Sequence, residues 1–318
     1  MPVSEILVVG SLAYDEVQTP FEHRREILGG AASYFSLAAS RYAPVRIVGV
    51  VGEDFREDDL ARFRARRIDT SGIERRPGRS FQWFGRYDYD MSTAETLNTD
   101  LGVFQHWRPR LPDAHCDVPF VFLANIHPAI QLELLDQVRR PALVALDTMN
   151  YWIEHERATL EQVISRVDVV TVNEAEARQL CVTFSIIRAA RRILEMGPRA
   201  LIVKRGEHGA MLFLKGGGVF WCPAYPLEKV RDPTGAGDSF AGGFLGSLAA
   251  GGRLDDDALR RAVVHGTVCA SFAVESFSVD AIEGATADAI EERYRGLRAL
   301  VTIGAETLAE AAPPPPHG

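Results

Sequence analysis

The stretch from Asp232 to Asp238, Asp-Pro-Thr-Gly-Ala-Gly-Asp, combines a glycine-rich turn, a carboxylate and the predicted start of a helix. Gly235 and Gly237 allow a tight turn and a close backbone approach to a ligand. Helically spaced apolar residues follow, at Phe240, Phe244, Leu245 and Leu248. A helix starting near Ala236 would turn unpartnered amides and a positive dipole end toward an anion. Asp238 in its first turn is either an acid-base group or an ordinary helix-capping carboxylate, and both interpretations stay open at this point.

Short apolar runs alternate with helical patterns along most of the chain, which predicts β-α units around a mostly parallel sheet. The predicted strands are Ile6–Val9, Val45–Val51, Phe120–Leu123, Leu143–Leu146, Val167–Val172 and Leu201–Val203. The predicted helices cover about 31–41, 55–67, 129–139, 155–165, 174–181, 186–196, 236–250 and 256–274. Ligands of such sheets bind beyond the carboxyl ends of the strands. Six polar residues are predicted at that edge: Asp15, Asn125, Asp147, Asn173, Lys204 and Asp232.

The Asp232–Asp238 string resembles the C-terminal signature of the ribokinase-like, or PfkB-type, carbohydrate and nucleoside kinases. Neither a Walker P-loop nor a Gly-x-Gly-x-x-Gly opening after the first strand occurs in the chain. The resemblance implies an α/β, doubly wound sheet flanked by helices on both faces, with a small β-sheet lid. It also implies that Asp238 is the catalytic base and that the amides of Gly235, Ala236, Gly237 and Asp238 form an anion hole. ATP and Mg²⁺ are the implied cofactors, with a monovalent cation such as K⁺ as a further candidate.

On the acceptor side, Gly29-Gly30 resembles the family's N-terminal glycine pair, where the backbone approaches the substrate. The family often has Asn four residues after the second glycine, whereas this chain has Tyr34. Ser33 and Tyr34 are therefore candidates to supply hydroxyl groups, although Tyr34 is equally suited to helix packing. Asp15 stands where related kinases hold sugar hydroxyls, and a carboxylate can accept two hydrogen bonds from neighbouring hydroxyls. The alternative for Asp15 is a solvated turn residue.

On the nucleotide side, Asn173 and Glu176 match the family's Asn-x-x-Glu motif, which is associated with Mg²⁺. Glu176 is expected to act largely through water, and a capping Asn followed by first-turn acids is an equally good interpretation. Lys204, Gly206 and Gly209 resemble the family's nucleotide-side turn, although a plain hairpin explains these glycines equally well. The remaining candidates for ATP binding are Thr234, Ala270 and Ser276.

Residues 79–107 interrupt the β-α pattern. Phe81, Trp83, Tyr87 and Tyr89 share one parity, which predicts a strand with an aromatic face, and Leu97–Phe104 is its expected partner. With residues 12–20 they would form a small sheet comparable to the family's lid, which would keep water from the transferred phosphoryl group. The alternative is an aromatic strand that only covers the core.

The 318 residues are expected to form one kinase domain over 1–304, followed by a Pro-rich, disordered tail over 305–318. A formal net charge of −8 argues against nucleic acid as the main partner. No apolar run would span a bilayer, so a cytoplasmic protein without a membrane partner is expected. The cysteines are too widely spaced for a metal cage and are expected to be buried. A homodimer through the lid is a further candidate.

Together these observations predict ATP-dependent transfer of a phosphoryl group to a hydroxyl of a sugar, nucleoside or cyclitol. A hydroxymethylpyrimidine or vitamin kinase of the same fold is one alternative. A catalytically silent, ligand-binding member of the fold is another. The sequence leaves the acceptor open, because the aromatic strand favours a nucleoside while the Gly-Gly-Ala-Ala-Ser segment starting at Gly29 is similar to inositol kinases.

Overall fold

The computed structural model describes residues 3–302. Within them the strands, in chain order, are β1 Ile6–Val9, β2 Ala13–Gln18, β3 His23–Gly29, β4 Val45–Val51, β5 Asp69–Arg75, β6 Phe81–Tyr87, β7 Ala94–Asp100, β8 Phe120–Leu123, β9 Leu143–Asp147, β10 Val169–Asn173, β11 Ala200–Lys204, β12 Ala210–Leu214 and β13 Val219–Cys222. The helices are α1 Ala31–Ala39, α2 Glu57–Ala65, α3 Pro128–Leu135, α4 Asn150–His155, α5 Arg157–Ile164, α6 Glu174–Cys181, α7 Ile186–Met196, α8 Ala236–Gly251, α9 Asp256–Ala273, α10 Asp280–Gly284 and α11 Ala287–Val301. The tail predicted for 305–318 lies outside the described residues.

Nine strands form one large sheet in the order β13-β12-β11-β10-β9-β8-β1-β4-β5. All neighbours pair in parallel except β12 and β13, which add an antiparallel edge. Successive residues of β1 enter two different hydrophobic clusters: Ile6 and Val8 join one, Leu7 and Val9 the other. Since neighbouring side chains of a strand point to opposite faces, the sheet is covered on both faces. The predicted doubly wound α/β architecture is confirmed.

A second, smaller sheet has the strand order β3-β2-β6-β7, which confirms the predicted lid. Strand β2 lies between β3 and β6, so that Asp15 is flanked by Ile27 on one side and Trp83 on the other. Its cluster contains only three buried residues, Val17, Tyr87 and Phe277. Phe277 follows α9, so this small core joins the lid to the body of the kinase fold.

The differences from the predicted elements concern the edges of the two sheets. β3 was not predicted as part of the lid, because its first four residues are polar and exposed and show no apolar alternation. The partner of β6 is Ala94–Asp100 rather than Leu97–Phe104, since a two-stranded register depends on the turn between the strands. β5, β13, α4, α10 and α11 were also not predicted.

Two general expectations can be compared with the described residues. None of the helices there combines the length and the apolar character that crossing a bilayer requires. The four cysteines are buried and carry free thiols. They therefore contribute to packing, as their spacing suggested.

Candidate active site

The loop before α8 presents backbone amides of the kind that can bind an anion. Gly235 adopts a left-handed conformation with φ 74°, and α8 begins at the next residue. The Ala236 amide donates to the Pro233 carbonyl oxygen at 3.2 Å. Within residues 3–302, the amides of Gly237 and Asp238 have no carbonyl acceptor. Two of the predicted anion-hole positions therefore keep an available donor, whereas the Ala236 amide is already engaged in this conformation.

Tyr34 lies directly beneath this loop. A Cβ atom built on Gly235 would stand 2.3 Å from the Tyr34 ring, so a side chain at this position would overlap it. The Tyr34 side chain is fully buried, and its hydroxyl oxygen has no hydrogen-bond partner in the described chain. Burial, followed by the negative charges of Asp232 and Asp15, raises the Tyr34 pKa well above its usual value. The phenol therefore remains protonated and can donate a hydrogen bond to a ligand.

Asp15 approaches the same space from the lid strand β2. It is buried, and a Cβ atom on Gly29 would be only 1.9 Å from its Oδ2 atom, so the glycine leaves room for the carboxyl group. Burial, together with the charges of Asp232 and Asp238, raises the pKa of Asp15 to about 8. Because the charges of Asp232 and Asp238 act on Asp15, the three carboxyl groups lie around one space. The lid bounds this space on one side and α8 on the other.

The carboxyl group of Asp238 stands in the first turn of α8. Burial and the nearby carboxylate of Asp147 raise its pKa, while the ammonium group of Lys204 acts in the opposite direction. A pKa raised toward neutrality makes a carboxylate a stronger base toward a hydroxyl proton than an exposed aspartate. Asp238 therefore has both the location and the basicity expected of a general base.

Lys204, at the end of β11, forms a buried ion pair with Asp147, at the end of β9. Its Nζ atom lies 2.8 Å from Oδ2 and 3.1 Å from Oδ1 of the aspartate. The same Nζ atom is 3.0 Å from the place that a Cβ on Gly237 would occupy. Burial lowers the pKa of Lys204, but Asp147 and Glu176 outweigh that effect, so the net shift is upward. A permanent positive charge thus stands beside the free amides of α8.

Asn173 and Glu176 form a reciprocal capping box at the start of α6. The Asn173 side-chain oxygen accepts from the Glu176 amide, and the Asn173 amide groups donate to both carboxylate oxygens of Glu176 at 2.7 Å. Burial raises the Glu176 pKa to about 7, with Lys204 opposing and Asp147 reinforcing the shift. Both oxygens already accept one hydrogen bond, which suits contact with a hydrated cation through water better than direct ligation.

The residues predicted for the nucleotide side differ in what surrounds them. Gly206 has φ 54° with open space where a side chain would be, whereas a Cβ on Gly209 would be 2.0 Å from the Cys222 carbonyl oxygen. Ser276 accepts a hydrogen bond from the Ala281 amide at 2.8 Å. Ala270 lies on α9, where it packs against the hydrophobic core. Ser33 is fully buried in α1, and its hydroxyl, like that of Tyr34, has no partner within the described chain.

Three features of the site had little or no signal in the sequence. The Tyr87 hydroxyl meets the Thr234 hydroxyl at 3.1 Å, which links the lid to the anion loop. Asp147 ends a strand, but its pairing with Lys204 spans 57 residues. Asp232 accepts from the Thr234 amide through Oδ1, while its buried Oδ2 has no partner in residues 3–302. The sequence had predicted Asp147 and Asp232 at the ligand edge of the sheet and Thr234 on the nucleotide side, but it gave no sign of these contacts.

Residues 4–283 match the sequence profile of the pfkB family carbohydrate kinases. The chain belongs to this family. It is therefore a kinase that transfers a phosphoryl group to an alcohol, and kinases of the pfkB family use ATP. The fold assignment, the lid and the enzyme class predicted from the sequence are confirmed.

Several relatives of this pfkB kinase are nucleoside kinases. It is 29% identical over 258 residues to the cytidine kinase of Thermococcus kodakarensis. The alignment covers 79% of this chain and 91% of the relative. It is 24% identical over 274 residues to the nucleoside kinase of Methanothermobacter thermautotrophicus, covering 79% and 84%. The solved nucleoside kinase of Burkholderia thailandensis in complex with inosine has a TM-score of 0.75 at 24% identity, covering 92% of this chain and 97% of that one.

Proposed function

We propose that this pfkB kinase transfers the γ-phosphoryl group of ATP to a ribose hydroxyl of a nucleoside. The observation that carries the proposal is the placement of Asp238 beside free amides at the start of α8, across from the buried lid carboxyl group of Asp15. One carboxyl group, that of Asp238, faces the phosphoryl donor, and the other, that of Asp15, faces the acceptor. This arrangement suits transfer to a polyhydroxylated ring.

Asp238 orients the attacking hydroxyl and accepts its proton. Because the phosphoryl transition state is loose, positioning and charge stabilisation contribute more than basicity. The amides of Gly237 and Asp238, together with the Lys204 ammonium, face the charge of the moving phosphoryl group. Lid closure, with the Tyr87 and Thr234 hydroxyls in contact, would exclude water from this group.

The acceptor's hydroxyls are proposed to meet Asp15, the Tyr34 hydroxyl and the backbone at Gly29 and Gly30. Tyr34 replaces the amide that the family often has there, and its unpartnered phenol is available to donate. Trp83 lies beside Asp15 in the lid, and its indole covers Gly85, where a Cβ would be 2.0 Å from the ring. A flat aromatic surface next to a sugar-binding carboxyl group suits a nucleobase better than a free sugar or cyclitol.

The cations assigned from the resemblance have fitting residues. Mg²⁺ supplies charge neutralisation of the phosphates, and Asn173 with Glu176 would hold its water shell, in accord with the occupied oxygens of Glu176. A monovalent cation would suit the buried Oδ2 of Asp232, which has no donor in residues 3–302. Lys204, Gly206, Gly209 and Thr234 stay assigned to the nucleotide side.

A homodimer through the lid is proposed as well. Phe21 and Tyr89 are largely exposed on the lid and form an edge-to-face pair with ring centroids 6.1 Å apart. Exposed aromatic pairs of this kind are typical of protein interfaces. Sedimentation equilibrium of the wild type and of a Phe21→Ser/Tyr89→Ser variant tests this, with dissociation of the variant expected.

The function is tested by an acceptor screen with Mg-ATP. Nucleosides, free ribose, fructose and inositol are compared by coupled ADP release, and the phosphorylated position is determined by NMR. A nucleoside is expected to give the highest kcat/KM, and preference for inositol or a free sugar would overturn the nucleoside assignment. Lack of turnover with all acceptors, accompanied by ligand-induced stabilisation, would point to the silent member of the fold.

The role of Trp83 is examined in the same assay. Trp83→Ala is expected to raise the nucleoside KM about 5–150-fold, the equivalent of roughly 1–3 kcal/mol of base stacking, with little change for free ribose. Trp83→Phe keeps an aromatic surface and is the matched control. An equal loss for ribose and nucleoside in Trp83→Ala would show that the indole only supports the lid.

A further inference from the structure

A cleft of about 440 Å³ lies at the far end of α1 from the acceptor site. It is formed by the ends of α1 and α2 together with α9 and α11, and Arg41, Arg66 and Arg67 line it. Helix α1 begins next to Gly30 in the candidate active site and ends at Ala39, a distance of about 14 Å at 1.5 Å per residue. The cleft is thus separate from the site of phosphoryl transfer.

The three guanidinium groups of this arginine cleft have no direct carboxylate partner among residues 3–302. Arg41 Nη2 donates to the Ile282 carbonyl oxygen at 3.0 Å and to the carbonyl oxygen of Glu283, and Arg66 Nη2 donates to that same Glu283 oxygen. In the part of the chain that the structure describes, Arg41, Arg66 and Arg67 have no carboxylate within ion-pair distance, and the Nε of Arg41 is buried without a partner. Burial and the nearby Arg66 lower the pKa of Arg41, as expected for adjacent positive charges.

The acidic groups around the arginine cleft are engaged elsewhere. The carboxylate of Glu283 is bound by Arg62, which also contacts Asp280. Glu291 lines the cleft, but its carboxylate lies 3.3 Å from Nε of Arg295. A concentration of positive charge therefore persists on a protein whose formal net charge is −8.

An aromatic wall completes the cleft. The His265 ring stacks on Tyr294, with centroids 4.3 Å apart and an interplanar angle of 18°, and meets Tyr42 edge-on at 5.2 Å. Its Nδ1 is buried without a partner in residues 3–302. Burial, with Arg261, lowers the His265 pKa to about 4, so the ring is neutral at pH 7 and can donate or accept one further hydrogen bond.

We propose that this arginine cleft binds a small phosphate-bearing anion. Guanidinium groups match phosphate oxygens in pairs, and an anion would neutralise three neighbouring cations at once. The simpler interpretation, that the arginines only cap carbonyls at the end of α10, accounts for one nitrogen of Arg41 and one of Arg66. It leaves Arg67, the Arg41 Nε atom and the cavity itself without a role.

Inorganic phosphate is the probe for the test, because it carries the shared chemistry without a base or sugar. It is titrated in the low-millimolar range at constant ionic strength, with a saturating non-hydrolysable Mg-ATP analogue present so that its γ-phosphate occupies the catalytic anion loop. Thermal unfolding reports binding, since a ligand that binds only the folded state raises the Tm in a saturable manner. Chloride titration accounts for general salt effects.

The full-length wild type is compared with Arg66→Gln/Arg67→Gln, and Arg64→Gln serves as the matched control. Arg64 lies in the last turn of α2, just before Arg66 and Arg67, but it pairs with Glu57 and does not line the cleft. Loss of two charge-assisted hydrogen bonds should weaken phosphate binding at least about tenfold in the double variant. Arg64→Gln should keep the wild-type midpoint.

An unchanged midpoint in the double variant, or a Tm increase no larger than that with chloride, would overturn the proposal. If the double variant does not fold, Arg67→Gln alone decides, because Arg67 is exposed and makes no side-chain hydrogen bond within residues 3–302. Its midpoint should still move to a higher phosphate concentration, and a wild-type midpoint would contradict the site.

Discussion

The large sheet and the lid sheet hold the two halves of the candidate site, and they are packed very differently. The large sheet lies between two extensive hydrophobic clusters, and its central strands are fully buried. The lid has a cluster of three buried residues, and six of the seven residues of β7 are exposed. The anion loop with Asp238 thus stands on a scaffold that is packed on both faces, whereas Asp15 stands on a buried central strand, β2, of a lid whose outer parts, β7 and the first half of β3, are exposed.

This difference suggests a division of tasks. Phosphoryl transfer requires fixed donors and a fixed base, which a closely packed sheet and helix provide. Acceptor entry and release require an element that opens, and elements with few buried contacts open most readily. Changes in the body of the kinase should therefore affect kcat, whereas changes in the lid should affect mainly the KM of the acceptor.

The largest effect is expected from Asp238→Asn. Loss of the proposed general base should reduce kcat by about 10²–10⁴-fold while the Kd for ATP, measured by calorimetry, stays near the wild-type value. Asp15→Asn, on the lid, is the matched variant and should raise the acceptor KM much more than it lowers kcat. If both variants gave the same split between kcat and KM, the division between the two sheets would be wrong.

Lys204→Met should produce the next largest change, because it leaves the buried Asp147 carboxylate without its partner. A loss of roughly 3–5 kcal/mol in the free energy of unfolding is expected, measured by urea denaturation. Lys204→Met/Asp147→Asn should recover stability but not the rate. A double variant with normal kcat would reduce Lys204 to a structural role.

The same variant has a signature in the pH dependence. Asp238 must be ionised to accept a proton, so kcat/KM should fall as the pH decreases through its raised pKa. Because Lys204 lowers that pKa, its removal should move the acidic limb of the profile to higher pH. If the acidic limb of the pH profile stayed at the wild-type pH, the Lys204 charge would not act on the Asp238 carboxyl group.

A smaller but specific effect is expected for Gly235→Ala. The new methyl group would overlap the Tyr34 ring in addition to straining a left-handed residue, for a total cost of roughly 2–4 kcal/mol. Gly206→Ala would introduce backbone strain only, since nothing lies near its Cβ position. It should lower the free energy of unfolding by about 1–2 kcal/mol. If urea denaturation gave the same loss of unfolding free energy for both variants, the Tyr34 ring would have moved away from the new methyl group at little cost.

The smallest effect is expected for Tyr87→Phe, which removes the contact between the lid and Thr234. One neutral hydrogen bond contributes about 0.5–1.5 kcal/mol, so the acceptor KM should rise roughly 2–10-fold, with unchanged global stability. Thr234→Val removes the same hydrogen bond from the loop side. Combined with Tyr87→Phe, it should therefore cause no further rise in the acceptor KM. Additive effects of the two substitutions would contradict a direct lid-to-loop contact.

Much of the fold was predictable because it depends on local patterns. The helix beginning at Ala236 follows from the two glycines and the apolar spacing after them, and it begins where the sequence indicated. Strands such as Ile6–Val9 and Val45–Val51 are continuous apolar runs, and they match their predicted bounds. β3 was missed because the exposed residues of a lid strand show no apolar alternation.

The site was predictable only in part. The motif positions around Gly30, Asn173 and Asp238 are encoded in short strings, so the order of the segments could be read directly. The burial of Ser33 and the packing of Tyr34 beneath Gly235 depend on how α1 meets α8, which no short string records.

The sequence by itself determined the β-α alternation, the glycine-rich turn at Gly235–Asp238 that starts a helix, and the family resemblance, because each is encoded by neighbouring residues. Only the tertiary structure decided that Lys204 pairs with Asp147, that Asp15 faces Asp238 from the lid, and that three arginines share one cleft. These arrangements join residues from separate elements, and the interactions that form them arise only when those elements pack together.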